Sequence, residues 1–309
     1  MKLKTFKLKT ADGIPLHVYQ WLPEQVPHAV IQLAHGMAEH AGRYQRFAGA
    51  LCAEGYAVYA NDHRGHGYTT HEEEGHLHLG DQEGWERTVD DLKQLTDLIV
   101  SHYHDLPRFL FGHSMGSFLV RRYLQKYGEG VKGVILSGTG ADPGVLSTLG
   151  IMIAQREANK LGKRGRSDKL QHLVFGRYNK RFPQRTPVDW LSRDEEEVDA
   201  YLADPFCGEV PTAGFFLDLM RGLKALDRPE RLRAMPKRLP ILFLSGTQDP
   251  VGGFTKGVKR VYKHFQKVGL VNLECHFYEG ARHELLNELN REAVTRDIIR
   301  WLYKIEAGQ

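Results

Sequence analysis

The chain has 309 residues, 41% of them hydrophobic and 26% charged, and a formal net charge of +4. These proportions exclude a disordered chain, a collagen-like chain and a coiled coil, and the length accommodates one large domain or two small ones. Three cysteines (Cys52, Cys207 and Cys275) with no CxxC pair exclude a disulfide framework, and the longest apolar runs fall far short of the ~18 residues of a membrane span.

The opening MKLKTFKLKT carries positive charge but no apolar stretch, so it does not read as a signal peptide. With the cysteine usage, this predicts a reducing, cytoplasmic location. Residues 3–9 and 14–22 flank a turn signal at Ala11-Asp12-Gly13 and predict an antiparallel pair. Residues 29–35 (AVIQLAH) predict a buried strand, 42–54 a helix and 56–62 a strand. A long amphipathic stretch at 85–103 follows, then a strand with a sharp turn at 107–114, a helix at 115–127 and a strand at 131–138. The next convincing strand is 239–246, after a helical stretch far longer than the dozen or so residues of a usual crossover. A helix at 254–267, a strand at 271–278 and a helix at 288–306 complete the pattern. Apolar strands alternating with helices predict an α/β fold with a mostly parallel sheet covered on both faces. The spacing divides the chain into a discontinuous core, 1–140 and 236–309, and a helical cap inserted at 141–235. Ligands of such sheets bind at the carboxyl ends of the strands.

The chemistry gathers at those ends. Gly112-His113-Ser114-Met115-Gly116 matches G-x-S-x-G between a predicted strand and a predicted helix. The two glycines leave room for a tight turn, and Ser114 would project its hydroxyl where a helix N-terminus favours developing negative charge. A serine hydroxyl needs a base, and this motif sets the chain order Ser, acid, His. Asp249 follows the strand at 239–246 and His283 follows the strand at 271–278, in that order. His283 would take the Ser114 proton, and Asp249 would hold the imidazole. Sixteen histidines make proximity alone uninformative, so the placement carries this assignment. An oxyanion hole needs two backbone N–H groups, and Met115 and Met37, in Ala34-His35-Gly36-Met37, occupy the required positions.

With these motifs the chain resembles the α/β-hydrolase superfamily, and within it the monoacylglycerol lipase and lysophospholipase group. The resemblance is carried by AHGMAEH at 34–40, NDHRGHG at 61–67, GHSMGS at 112–117, SGTQDPVG at 245–252 and GARHELLNE at 280–288. Ser117 stands where the group often has a further glycine. The resemblance implies a helical cap forming the acyl-chain entrance, Ser114, Asp249 and His283 as catalytic residues, Met37 and Met115 as oxyanion donors, and monoacylglycerol or lysophospholipid as substrate. The chemistry requires no metal and no organic cofactor.

Other readings have weaker support. His71-Glu72-Glu73-Glu74-Gly75-His76 mimics a zinc motif, but its histidines are five apart with a glycine between them, so it reads as a charged loop. The glycines from Gly138 to Gly144 mimic a dinucleotide fingerprint with wrong spacing and an intervening Pro143. A basic stretch from Lys160 to Arg185 predicts either a solvated cap surface or peripheral contact with anionic membrane. No nucleic-acid motif accompanies it. The same triad serves short-chain esterases and aminopeptidases, the latter needing a cap carboxylate such as the Asp194–Asp199 cluster to bind the substrate amine. A non-catalytic member would be expected to have lost a triad residue, and all three are present.

Overall fold

A computed structural model describes residues 1–70 and 75–308. One eight-stranded sheet runs through it in the order β1-β2-β4-β3-β5-β6-β7-β8. β1 (Lys2–Lys9) and β2 (Pro15–Leu22) form the expected antiparallel pair, and β2 lies antiparallel to β4 (Tyr56–Asn61). From there the sheet is parallel: β4, β3 (Ala29–Ala34), β5 (Arg108–His113), β6 (Gly133–Ser137), β7 (Ile241–Gly246) and β8 (Leu273–Tyr278). β3, β4, β6 and β7 are buried along their whole length, and β5 from Phe109 onward. That explains their continuous apolar sequences, since helices cover both faces.

Alternation along the strands assigns the faces. Phe109 and Phe111 of β5 point to the layer that holds α1 (Gln45–Ala53) and α10 (Arg291–Glu306). Leu110 points the other way, toward α2 (Gly84–His102), α3 (Met115–Tyr127) and α9 (Lys256–Lys267). The helical stretch between β6 and β7 contains α4 (Val145–Leu161), α5 (Asp168–Phe175), α6 (Glu195–Ala203), α7 (Ala213–Leu226) and α8 (Pro229–Arg233). It has a small core of its own around Ala154, Leu170, Phe216 and Leu217. Phe215, Leu219 and Leu226 of α7 instead join the core beneath the sheet. Among the described residues, no helix is long and apolar enough to cross a membrane, and the three cysteines are unpaired.

A buried arginine holds the two ends of this insertion together. Arg121 of α3 is 1% exposed. Its guanidinium donates to Gly140 O at 2.7 Å and Thr139 Oγ1 at 3.3 Å, where the chain leaves β6, and to the Asp227 carboxylate, where α7 ends. Removing one member of a buried ion pair leaves its partner charged and unsatisfied, at a cost of about 3–5 kcal/mol. Arg121→Met is therefore expected to lose about that much stability in urea unfolding, with Arg121→Lys intermediate. An unchanged unfolding midpoint for Arg121→Met would show that this clamp does not hold the insertion.

Candidate active site

The sequence-predicted residues meet at the carboxyl ends of β3, β5, β7 and β8. Ser114 is the pivot between β5 and α3 and adopts φ 51° and ψ −120°, a conformation that costs a non-glycine residue energy and persists only where its surroundings impose it. The surroundings are tight. A Cβ on Gly116 would lie 2.1 Å from Ala34 O, and one on Gly112 would lie 2.6 Å from Gly116 O. The first turn of α3 therefore lies directly against the end of β3. Ser114 N donates to Ser137 O at 2.9 Å, and Ser117 Oγ returns a bond to Ser114 O at 2.6 Å. Ser117, the departure from the group's pattern, thus braces the turn.

His283 lies in the loop after β8 and Asp249 in the loop after β7; both are buried. Asp249 Oδ1 accepts from His283 Nδ1 at 3.0 Å and from Val251 N at 2.8 Å. A carboxylate only accepts, so Nδ1 carries the proton and Nε2 remains the basic nitrogen. Burial works against charging His283 and is the largest single influence, but the Asp249 carboxylate, with Glu284 and Glu39 adding to it, outweighs burial and holds the imidazole above its ordinary value. The neighbouring buried histidines behave oppositely. Burial pushes His63 down to about 4, and His66 and His113 down to about 3. The His113 and His283 rings are 4.8 Å apart, and Trp190 lies 5.1 Å from His283 on another side.

Ser114, Met115, Met37 and His283 border one cavity of about 260 Å³, and Asp249 lies behind the histidine, outside its lining. Met115 is the first residue of α3, so its N–H has no helical acceptor. Met37 lies in a loop shaped by Glu39, whose Oε1 accepts from Gly36 N at 2.5 Å. Ala38, in the same loop, has φ 53°. Its carbonyl accepts from Gly208 N and Tyr201 Oη, both at 3.0 Å, which ties this loop to the helical insertion. Phe118, Val174, Phe175, Leu219 and Leu223 make much of the cavity apolar. Glu39, Tyr201 and Glu284 give it a polar end.

Over residues 25–290 the chain matches the family model described as serine aminopeptidase, S33. It is 32% identical to a monoacylglycerol lipase of Mycolicibacterium smegmatis, over 94% of this chain and 93% of that one. It is 33% identical to a monoglyceride lipase of Mus musculus, over 96% and 89%. Among solved structures, a thermostable carboxyl esterase from Bacillus coagulans superposes with a TM-score of 0.91 and 27% identity, covering 99% of each chain. The chain belongs to this family of α/β-hydrolases. It is a serine hydrolase of the esterase and lipase type.

The hydrolase has a second set of site residues that the motif reading overlooked. Arg43 bridges two buried carboxylates: Glu39 at 2.7 Å, in the Met37 loop, and Glu284 at 2.8 and 2.9 Å, next to His283. Tyr44 Oη also donates to Glu39 at 2.8 Å, and the Tyr201 ring lies 4.9 Å below the guanidinium. Burial pushes both carboxyls up. At Glu284 the doubly bonded guanidinium overrides it and holds the group at about 2. At Glu39 burial prevails, and the group stays above its ordinary value. The signal was present in the sequence, since Glu39 and Glu284 are part of AHGMAEH and GARHELLNE. Spacing alone could not pair residues some 240 positions apart.

Other readings resolve as follows. Gly138, of the dinucleotide-like run, backs onto His283: a Cβ there would lie 2.9 Å from its ring. Residues 71–74 of the zinc-like run lie outside the described residues, and His76 bonds Glu209 at 2.9 Å. Among the described residues, His40, Asp204 and Cys207 bring three potential metal ligands within 4.8 Å of one another. His40 Nε2 and Asp204 already bond each other at 2.9 Å, and burial raises the Cys207 thiol, which opposes a thiolate. This group is accounted for as a tie between the Met37 loop and the insertion.

The bridge yields a pH signature. Arg43→Met leaves two carboxylates buried together, and the expected loss is about 3–5 kcal/mol at neutral pH. Without the guanidinium the folded state holds these carboxyls above their unfolded values. It therefore binds more protons as the pH falls, and the deficit relative to wild type narrows between about pH 8 and about pH 5. Urea unfolding at the two pH values checks this, and a deficit independent of pH would mean that the bridge is not electrostatic.

Proposed function

We propose that this hydrolase cleaves acyl esters, above all monoacylglycerols or lysophospholipids, through a Ser114-His283-Asp249 triad. The observation that carries the reading is the Asp249–His283 hydrogen bond behind a histidine that shares an apolar cavity with Ser114. Ser114 Oγ attacks the ester carbonyl as His283 Nε2 takes its proton. Asp249 stabilises the imidazolium that forms. The Met37 and Met115 N–H groups hold the oxyanion, aided by the dipole of α3. His283 then protonates the leaving alcohol, and water releases the acid by the same route. Residues 141–235 act as a cap over the 1–140 and 236–309 core. Phe175, Leu219 and Leu223, from α5 and α7, give the acyl chain its wall, and the Glu39, Tyr201 and Glu284 end suits a hydroxylated alcohol group. The relatives named for monoacylglycerols support this substrate class.

The aminopeptidase reading has less support. The acids expected to bind a substrate amine point elsewhere: Asp194 pairs with Arg291 at 2.6 Å, Glu197 with Arg46 at 2.6 Å and Asp199 with Arg185 at 2.7 Å. None of them borders the cavity. Glu39 and Glu284 do border it, but they share Arg43.

A panel of mono-, di- and triacylglycerols, lysophospholipids, short esters and amino-acid amides tests the substrate assignment. Monoacylglycerols or lysophospholipids should turn over fastest and the amides slowest; preferred cleavage of amides would reverse it. Ser114→Ala should keep the fold, lose fluorophosphonate labelling and lower kcat by a factor of order 10⁴–10⁶. Near-wild-type turnover by that variant would rule out Ser114 as the nucleophile.

The raised His283 sets the acid limb of the rate profile. The base form is lost as the pH falls through its folded value, so kcat/KM should decline with a midpoint above the ordinary 6.5. Asp249→Asn removes the raising charge. It should move that midpoint down and reduce kcat by about 10⁴. An acid limb left in place by this variant would mean that another group sets it.

A further inference from the structure

The histidine of the proposed triad has aromatic neighbours that the reaction steps above do not use. The His113 imidazole, at the end of β5, is 4.8 Å from the His283 ring and tilted by 46°. The Trp190 indole, from the insertion, is 5.1 Å from it and tilted by 39°. Neither approach is edge-on. Gly138 closes off a further side, where a Cβ would lie 2.9 Å from the ring. His283 is 2% exposed, so these neighbours meet a ring stripped of water.

Trp190 is held firmly where it stands. Its N–H donates to Asn179 Oδ1 at 3.0 Å, and its carbonyl accepts from His283 N at 3.4 Å. Beside it, Leu191 O accepts from Glu284 N at 2.8 Å, and the Arg282 guanidinium donates to the carbonyls of Asp189 and Ser192. Segments 189–192 and 282–284 are thus tied side by side. The Phe175 ring stacks on the indole with centroids 6.0 Å apart and planes 16° apart, and Tyr178 meets it edge-on at 5.1 Å.

Trp190 also lines the cavity. An acyl chain passing this point needs only an apolar wall, which an aliphatic side chain supplies. An indole does more beside a group that becomes a cation. The π-face of tryptophan attracts a cation within about 6 Å of its centroid, most strongly when the pair is desolvated. The imidazole is neutral before proton transfer and cationic during it, so the attraction grows toward the transition state. The other groups around His283 are the Asp249 carboxylate at Nδ1, Glu284 and Glu39 with Arg43 between them, and His113, which burial keeps neutral. The Tyr178 phenol, on the Asp249 side, is kept protonated by burial. We propose that Trp190 is a positioning residue for the hydrolysis, whose indole braces the plane of the His283 ring and favours the imidazolium formed as Ser114 gives up its proton. This rests on His283 as the base. The insertion thereby contributes to the chemical step as well as enclosing the substrate.

Two variants assayed on p-nitrophenyl acetate test it. Trp190→Leu keeps an apolar wall without a π-face. It should lower kcat about tenfold with KM little changed, and move the midpoint of the acid limb of kcat/KM down. Trp190→Phe should recover most of the rate and bring the midpoint back toward wild type. Urea unfolding midpoints should be alike for the two variants, which separates these effects from loss of fold. An imidazolium quenches an indole beside it, so wild-type fluorescence should fall as the pH drops through the acid-limb midpoint, and Trp190→Phe should lose that transition. Wild-type kcat and midpoint in Trp190→Leu would overturn the proposal. Equal losses in both variants with the midpoint unmoved would do so too, by making Trp190 a spacer, as would a fluorescence transition that persists in Trp190→Phe. An acid limb unmoved in Asp249→Asn would overturn the assignment of the base and this proposal together, whereas a limb that moves in Asp249→Asn and stays in Trp190→Leu would remove Trp190 alone.

Discussion

The site depends on how closely α3 approaches β3. Gly116 lies so near Ala34 O that a single methyl group could not be inserted. That contact, with the Gly112 contact beside it, forces the chain to reverse within one residue, and Ser114 takes the strained conformation. The same approach places the helix N-terminus, the Met115 N–H and the Met37 loop around one point. Strain at the serine and convergence of donors are thus two results of one packing constraint. The parallel sheet makes it possible, because it delivers the ends of β3, β5, β7 and β8 to the same edge.

Around that point, electrostatics divide the histidines by role. Most of those buried near the site are kept neutral by desolvation. His283 differs because Asp249 waits on its far side. The Glu39–Arg43–Glu284 bridge adds a further constraint by linking the loop of Met37 to the loop of His283 through a single guanidinium. Burying three charges is costly, and their mutual hydrogen bonds only partly recover that cost. Such an arrangement fixes geometry more than it adds stability.

Much of this could be read from the chain alone, and for identifiable reasons. Strands β3 to β7 were legible because burial on both faces demands apolar runs, and the insertion because the gap between β6 and β7 far exceeds a crossover. Ser114 was legible because the glycines of a strained turn cannot be replaced. Asp249 and His283 were legible as candidates because strand ends fix where an acid and a histidine can be brought toward Ser114. Contacts between distant segments were not. Arg43 looks like any surface arginine until Glu284 is brought to it. Arg121 reads as part of an amphipathic helix until the chain entering the insertion and Asp227 close around it. The pairing of Arg164 and Arg166 in the basic stretch at Lys160 to Arg185 was hidden for the same reason, since their acids, Asp81 and Glu209, are far away in sequence. The start of the last helix also moved, from 288 to Arg291, because Glu288 is drawn into bonds with Arg193 and the backbone of Arg282.

The loops of Met37 and His283 are fastened to the insertion largely through their backbones. His283 N and Glu284 N bond the carbonyls of Trp190 and Leu191, Arg282 reaches those of Asp189 and Ser192, and Ala38 O receives Gly208 N and the Tyr201 hydroxyl. The bonds among them that join two main-chain atoms, from His283 N, Glu284 N and Gly208 N, do not depend on which side chains line the cavity, whereas the Tyr201 bond comes from a lining side chain. Substitutions in the lining can therefore reshape the cavity while the main-chain scaffold under the histidine stays in register. An insertion transplanted whole between relatives would carry that scaffold with it, whereas one trimmed to its cavity-facing helices would leave the histidine loop unsupported.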